Sequence, residues 1–338
     1  MAISAKDVIE SLKAGKASVV SADHSSKVDW KAAVSAAVEK AVEAPPPEPA
    51  PPPPKDYADV AVEKDFYLQP AWFDRLAYFI ERGDSVLLIG PAGSGKSTAV
   101  EQVFAKRGQP LEIVSVHPRL TASDFEGSGE LVVEDGHQVT KFVLASPAVA
   151  VRDGCGLLLD EADAGSPEAM FALYRAVDGK DMRIIRKTGD PVIPLDPAFR
   201  CVATQNTQGR GDDRGLYHGR GEQDEAFLDR WDQYIQVTYP DKDEEVLILR
   251  KRTGVSGPQA EKVVDAARAL RAAQNQNEIM LTMTVRRTLA IASNLADGLS
   301  PAEAWQYAVL NRATPEDQSV MMELLCHRVY GDTFKRGS

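Results

Sequence analysis

Between an apolar run at residues 85–89 (SVLLI) and a helix expected from Ser97 through Phe104 stands the loop Gly90-Pro-Ala-Gly-Ser-Gly95-Lys96-Ser97. A G-x-x-x-x-G-K-S loop between strand and helix leaves the chain few architectures, because it belongs on the edge of a parallel sheet. Its glycines let backbone N–H groups close around phosphate oxygens at a helix N-terminus. Gly90, Pro91, Ala92, Gly93, Ser94, Gly95, Lys96, Ser97 and Thr98 are therefore candidate nucleotide-binding positions. Lys96 places a point charge on the β- and γ-phosphates, and Ser97 offers its hydroxyl to Mg²⁺.

Four more short apolar runs fit the same sheet: 112–116 (EIVSV), 156–160 (GLLLD), 200–203 (RCVA) and 234–237 (YIQV). Near-continuous apolar strands separated by helices read as a parallel sheet covered on both faces. Two hairpins interrupt it. Residues 131–133 and 139–143 flank Asp135-Gly136, and 182–185 pairs with 192–193 across a Lys-Thr-Gly-Asp turn. After Tyr239 the pattern is helical to the end. The fold class expected is α/β: a P-loop parallel-sheet domain with two hairpin insertions, followed by a small all-helical lid. The domain boundaries expected are 57–239 for the nucleotide-binding domain and 240–334 for the lid.

Leu157-Leu-Leu-Asp160-Glu161 supplies the second half of a nucleotide site. Three aliphatic residues deliver Asp160 to the C-terminal edge of the sheet, where open α/β sheets bind ligands. There Asp160 can hold the Mg²⁺ shell and Glu161 can polarise an attacking water. The pair follows the loop lysine by about 65 residues, and no N-K-x-D guanine-reading motif occurs. Asn206 follows the fourth strand, where an amide can position that water. Arg230 precedes the fifth strand and Arg286 opens a lid helix. A local salt bridge with Asp229 or Asp232 is the other reading of Arg230.

From residue 57 to about 328 the chain resembles AAA+ ATPases of the MoxR branch, and within it the small ATPase subunits of aerobic cobaltochelatases. The resemblance lies in Gly93-Ser-Gly-Lys-Ser-Thr98, Leu159-Asp-Glu-Ala-Asp-Ala-Gly165 with Pro167 and Met170-Phe171, and Pro197-Ala-Phe-Arg200. It continues in Ala203-Thr-Gln-Asn-Thr207, Gly215-Leu-Tyr-His-Gly219 and Asp229-Arg-Trp231. It implies a homo-oligomer, a hexameric ring with ATP at the subunit boundaries. Arg230 then matches the arginine finger, Asn206 sensor 1 and Arg286 sensor 2, and the hairpins face the pore or the partner. A von Willebrand A-domain-type or chelatase-type partner protein is implied as a second chain. Three features depart from the pattern: Val285 where sensor 2 usually has proline, Pro91-Ala92 in the loop, and the N-terminal region.

That region is short and Ala-rich over residues 1–44, with helix starts expected near Ser4 and Asp29, as a partner-docking module or a partly disordered tail. Residues 45–54 hold eight prolines, a spacer of polyproline II character within a linker over 45–56. A net charge of −11 opposes contact with phosphate backbones, which makes nucleic acid an unexpected partner. No apolar run is long enough to span a membrane, and no signal peptide is recognisable, so the expected location is the cytoplasm. Cys155, Cys201 and Cys326 read as buried free thiols, the five histidines lack metal-ligand spacing, and His117 reads as a surface residue. Tyr217 and His218 read as subunit-boundary packing rather than substrate contacts. The function expected is ATP hydrolysis coupled to remodelling or metal-loading of a partner protein. The alternatives are a nucleic-acid motor or loader, and a nucleotide-gated scaffold with little turnover.

Overall fold

Helix α1 (Phe73–Arg82) buries Phe73, Leu76 and Ile80 on one face and stops at Gly83, whose left-handed backbone caps the last carbonyls. It is the first element in the computed structural model, which describes residues 67–134, 137–184, 192–206, 225–331 and 334. The expected helices of the N-terminal region, the proline spacer, Ile185, and Tyr217 with His218 all lie outside the described residues.

Strand β1 (Val86–Ile89) leads through the glycine-rich loop into α2 (Lys96–Arg107), β2 (Leu111–Ser115) and α3 (Ala122–Glu126). The hairpin β3 (Gly127–Glu134) and β4 (His137–Leu144) follows, then α4 (Ser146–Asp153) and β5 (Gly156–Asp160). After α5 (Pro167–Met170) and α6 (Tyr174–Val177) come the short pair β6 (Met182–Arg183) and β7 (Val192–Ile193), β8 (Arg200–Gln205), α7 (Glu225–Leu228) and β9 (Gln233–Gln236). Strands β2, β5, β8, β1 and β9 lie in that order in one sheet, every neighbouring pair parallel.

Alternation along the pleat sends side chains to two cores. Val86, Leu88 and Leu158 pack with Phe73, Ile80, Val100 and Phe104 on one face. Leu87, Leu157 and Leu159 pack with Phe125, Met170 and Trp231 on the other. The central strands are covered on both faces as their apolar runs require. β2 is not: it forms an edge, its positions alternate in burial, and Ile113 is exposed. Both expected hairpins are antiparallel; the first is longer than expected, running from Gly127↔Leu144 to Glu134↔His137.

Beyond β9 the described chain is helical: α8 (Lys242–Thr253), α9 (Gly257–Asn275), α10 (Val285–Ala296), α11 (Pro301–Ala308), α12 (Pro315–Leu324) and a wider final turn, Leu325–Tyr330. Asp241, Thr284, Ser300 and Thr314 each accept a backbone N–H of the helix they start, satisfying one orphan donor at each N-terminus. These helices share one apolar core that includes Leu270, Ile291, Trp305 and Met321, and Trp305 Nε1 donates to Tyr330 Oη at 3.0 Å. No helix among the described residues is long and apolar enough to cross a membrane.

A buried ion pair runs through this helical core. Arg271 donates to both oxygens of Glu245, at 2.7 and 2.8 Å, and Glu245 also accepts from Thr288 Oγ1 at 2.9 Å. The Arg271 guanidinium lies 4.0 Å from the centre of the Tyr239 ring, and Tyr239 Oη donates to the Ala92 carbonyl of the glycine-rich loop at 3.0 Å. Glu245 has no exposed surface. Arg271→Ala therefore strands a carboxylate in an apolar core, and it is expected to destabilise the fold by about 3–5 kcal/mol, measured as a lower midpoint of chemical unfolding.

Candidate active site

The loop between β1 and α2 is held open by its glycines. Gly93 and Gly95 adopt φ of 67° and 91°. A Cβ on Gly93 would lie 2.7 Å from Thr284 Cβ, and one on Gly90 would lie 2.2 Å from the Val237 carbonyl oxygen. Gly95 starts α2 without a side-chain cap, so the first N–H groups of the helix remain available to an anion. Ser94 Oγ is buried and has no hydrogen-bond partner among the described residues. Lys96 begins α2, one residue earlier than expected, and is 6 % exposed. Its ammonium donates to the Gly90 and Pro91 carbonyls at 2.7 and 3.0 Å and to Asn206 Oδ1 at 2.9 Å. Such a cradle, with buried donors around a cavity mouth, suits a phosphate chain.

Opposite the loop, β5 delivers its acids. Asp160 Oδ1 accepts from Ser97 Oγ at 2.6 Å and from Thr204 Oγ1 at 2.5 Å. Thr204 Oγ1 in turn accepts the Glu161 backbone N–H at 3.0 Å. Glu161 adopts φ 59°, a left-handed conformation that non-glycine residues rarely hold without a local reason. The hydroxyl and carboxylate at 97 and 160 are the hard oxygen donors that Mg²⁺ accepts, so the residues present fit that ion. Asp163 is 2 % exposed, and its Oδ2 accepts the Asn206 backbone N–H at 3.1 Å.

A cavity of about 540 Å³ joins these groups. Gly93 to Thr98, Ala92, Asp160, Glu161, Thr204 and Asn206 line one part. Tyr67, Leu68, Pro240, Ile248 and Leu289 give the rest apolar surface, and Arg286 lines it from the start of α10. Polar loop groups and apolar side chains in one cavity suit the phosphate and base of a nucleotide. Arg286 thus joins the loop residues, Asp160, Glu161 and Asn206 at one cavity.

Arg230 does not line that cavity. Its Nη1 donates to both oxygens of Asp178, at 2.7 Å each, and its guanidinium lies 4.3 Å from the centre of the Tyr174 ring. The local ion pair is therefore made with Asp178 rather than with Asp229 or Asp232. Asp232 instead accepts from the backbone and hydroxyl of Ser85, each at 2.9 Å. Burial pushes the Asp178 carboxyl up, but hydrogen bonds from Arg230 and Lys180 outweigh it and hold the group below its ordinary range.

Sequence reasoning missed Thr204 and the apolar wall. Thr204 was findable, since alternation along a strand puts residues 204 and 206 on the same side. The wall brings residues 67–68 together with α8 and α10, which no local pattern encodes. Elsewhere, Cys155 and Cys201 are buried and Cys326 is half-buried, so burial of all three thiols holds only for two. Burial pushes the Cys201 thiol up to about 12. His117 is exposed, and among the described residues there is no cluster of His, Cys, Asp or Glu able to hold a metal by itself.

A glycine-rich loop of this form at the C-terminal edge of a five-stranded parallel sheet, facing an Asp-Glu pair, defines a P-loop nucleotide site. Residues 85–230 match the AAA domain of the dynein-related subfamily, and residues 245–327 match the CbbQ/NirQ/NorQ C-terminal domain. The aerobic cobaltochelatase subunit CobS of a Sinorhizobium species is 32% identical over 243 residues, which is 70% of this chain and 73% of CobS. The gas vesicle ATPase GvpN of Ancylobacter aquaticus is 28% identical over 63% of this chain and 61% of its own length. The denitrification regulatory protein NirQ of Pseudomonas aeruginosa is 26% identical over 70% of this chain and 86% of its own. The chain belongs to the AAA ATPases, in the MoxR-type group of CobS, NirQ and NorQ, and is an ATP hydrolase.

Proposed function

We propose that this ATPase works as a homo-oligomeric ring, a hexamer, that spends ATP hydrolysis on remodelling or metal-loading a partner protein. The observation that carries the reading is the cavity itself, which brings the P-loop, Asp160 and Glu161 together with Arg286 from the helical part. A nucleotide filling it touches both parts of the fold, so its γ-phosphate can set their relationship.

In this reading Lys96 and the N–H groups at the start of α2 bind the phosphates, while Ser97 and Asp160 would hold Mg²⁺. The ion, when bound, neutralises charge on the β- and γ-phosphate oxygens. Glu161 orients the attacking water and takes its proton as the water adds in line to the γ-phosphorus and the bond to the β-γ bridging oxygen breaks. Asn206, tied through Oδ1 to Lys96, donates its amide to the same water or to the γ-phosphate. Arg286 approaches the phosphates from the lid. Arg230, away from its own cavity, serves the cavity of the next subunit.

The partner class that fits is a von Willebrand A-domain-type or chelatase-type protein. A chain trapped with ATP bound should hold such a partner longest. Affinity purification of Glu161→Gln protein in ATP is expected to retain a second protein that is released when nucleotide is removed, and that protein should raise wild-type ATPase when added back. Retention that ignores nucleotide would overturn the remodelling reading.

A further inference from the structure

We infer that Thr204 is a positioning residue of the ATPase reaction, whose single hydroxyl fixes both acids at the end of β5. The inference rests on the reading of Asp160 and Glu161 given above, and deepens it.

Thr204 is 1 % exposed, on β8 beside β5. A threonine hydroxyl has one proton to give. Here it goes to Asp160 Oδ1 at 2.5 Å, and the oxygen's lone pair receives the Glu161 N–H at 3.0 Å. Ser97 Oγ donates to that same Oδ1 at 2.6 Å. Asp160 Oδ1 thus has two hydroxyl donors, while Oδ2 makes no bond to any described residue, which fixes the rotation of the carboxylate and leaves one oxygen for the cation shell. The bond to Glu161 N–H has a different effect. It secures the peptide entering the left-handed residue at 161, and that backbone is what turns the Glu161 side chain out to the cavity. Without the hydroxyl, the Glu161 N–H loses this acceptor and Asp160 Oδ1 keeps only the Ser97 hydroxyl. Both acids remain, but each is held by one bond fewer. Valine has the shape of threonine without the proton or the lone pair, and serine has both without the methyl.

The test compares Thr204→Val and Thr204→Ser in two measurements on the full chain. The first is steady-state ATPase. The second needs no turnover: the Mg²⁺ concentration at which ATP reaches half of its protection against thermal unfolding. Thr204→Val is expected to lower kcat about tenfold or more, with KM for ATP changed by less than about threefold, because a positioned acid acts on the transition state rather than on substrate binding. The half-protecting Mg²⁺ concentration should rise several-fold. Thr204→Ser should stay within about threefold of wild type in both. If the valine form fails to fold, Thr204→Cys, with a weaker donor, replaces it and should fall between the two. A valine form within twofold of wild type in both measurements overturns the inference, as does a serine form as impaired as the valine form, since the methyl group would then be what matters. Wild type and Glu161→Gln are measured alongside. If Glu161→Gln hydrolyses ATP normally, the assignment of Glu161 fails first, independently of Thr204.

Discussion

Arg230→Ala protein is expected to bind ATP with unchanged affinity and to hydrolyse it roughly 10³- to 10⁵-fold more slowly, the scale on which a trans-acting arginine contributes to NTP hydrolysis. Binding survives because Lys96, Ser97 and Asp160 are untouched and Arg230 does not line its own cavity. The slow rate follows if the guanidinium completes a neighbour's site. A purely local role predicts otherwise. The pair with Asp178 is partly exposed, with side-chain exposures of 30% and 22%, and such pairs contribute about 0–1 kcal/mol. A stability loss of that size leaves turnover nearly intact. Mixing separates the two readings. Combined with Lys96→Ala subunits, Arg230→Ala subunits should regain a fraction of wild-type activity, because some boundaries then pair an intact loop with an intact arginine. An inactive mixture, with subunit exchange demonstrated by labelled chains, sinks the trans assignment.

The second large effect is at Glu161. Glu161→Gln should retain ATP and lose turnover by about 10²-fold or more, since an amide keeps the shape but cannot take a proton from water. Asp163, two residues further on, is buried and its Oδ2 holds the backbone N–H of Asn206. Single-turnover kinetics with filter binding in parallel would read both quantities, and a rate within a few-fold of wild type would remove Glu161 from the chemistry.

Much of this was legible from the sequence because local signals and the global fold agree. The P-loop dictates its flanking strand and helix, and the run Leu157–Leu159 can satisfy its apolar faces only inside a covered sheet. The burial of β2 was misread, because an apolar run does not say whether a strand has one neighbour or two. Arg230 shows a different limit. Three aspartates compete for it: two lie within two residues of it in sequence and one, Asp178, comes from the end of α6, more than fifty residues earlier. Proximity along the chain favours the first two, whereas the packing of Tyr174 against Phe227 brings the third under the guanidinium. The apolar half of the cavity was not legible at all, because its members come from three distant segments whose approach is a tertiary fact.

The three cysteines have a practical consequence. Nucleophilic sulfur is thiolate, and a buried thiol held near 12 supplies almost none at neutral pH. Cys155 and Cys201 are sealed inside the sheet domain, and Cys326 alone reaches the surface in part. Cys326 is thus the one of the three thiols placed to meet a maleimide. Replacing Cys326 would leave a background on which a single new cysteine, set beside Arg230 or on the β3–β4 hairpin, carries a fluorophore without ambiguity. In the proposed ring, distances between neighbouring subunits could then be followed in solution through a full cycle of hydrolysis.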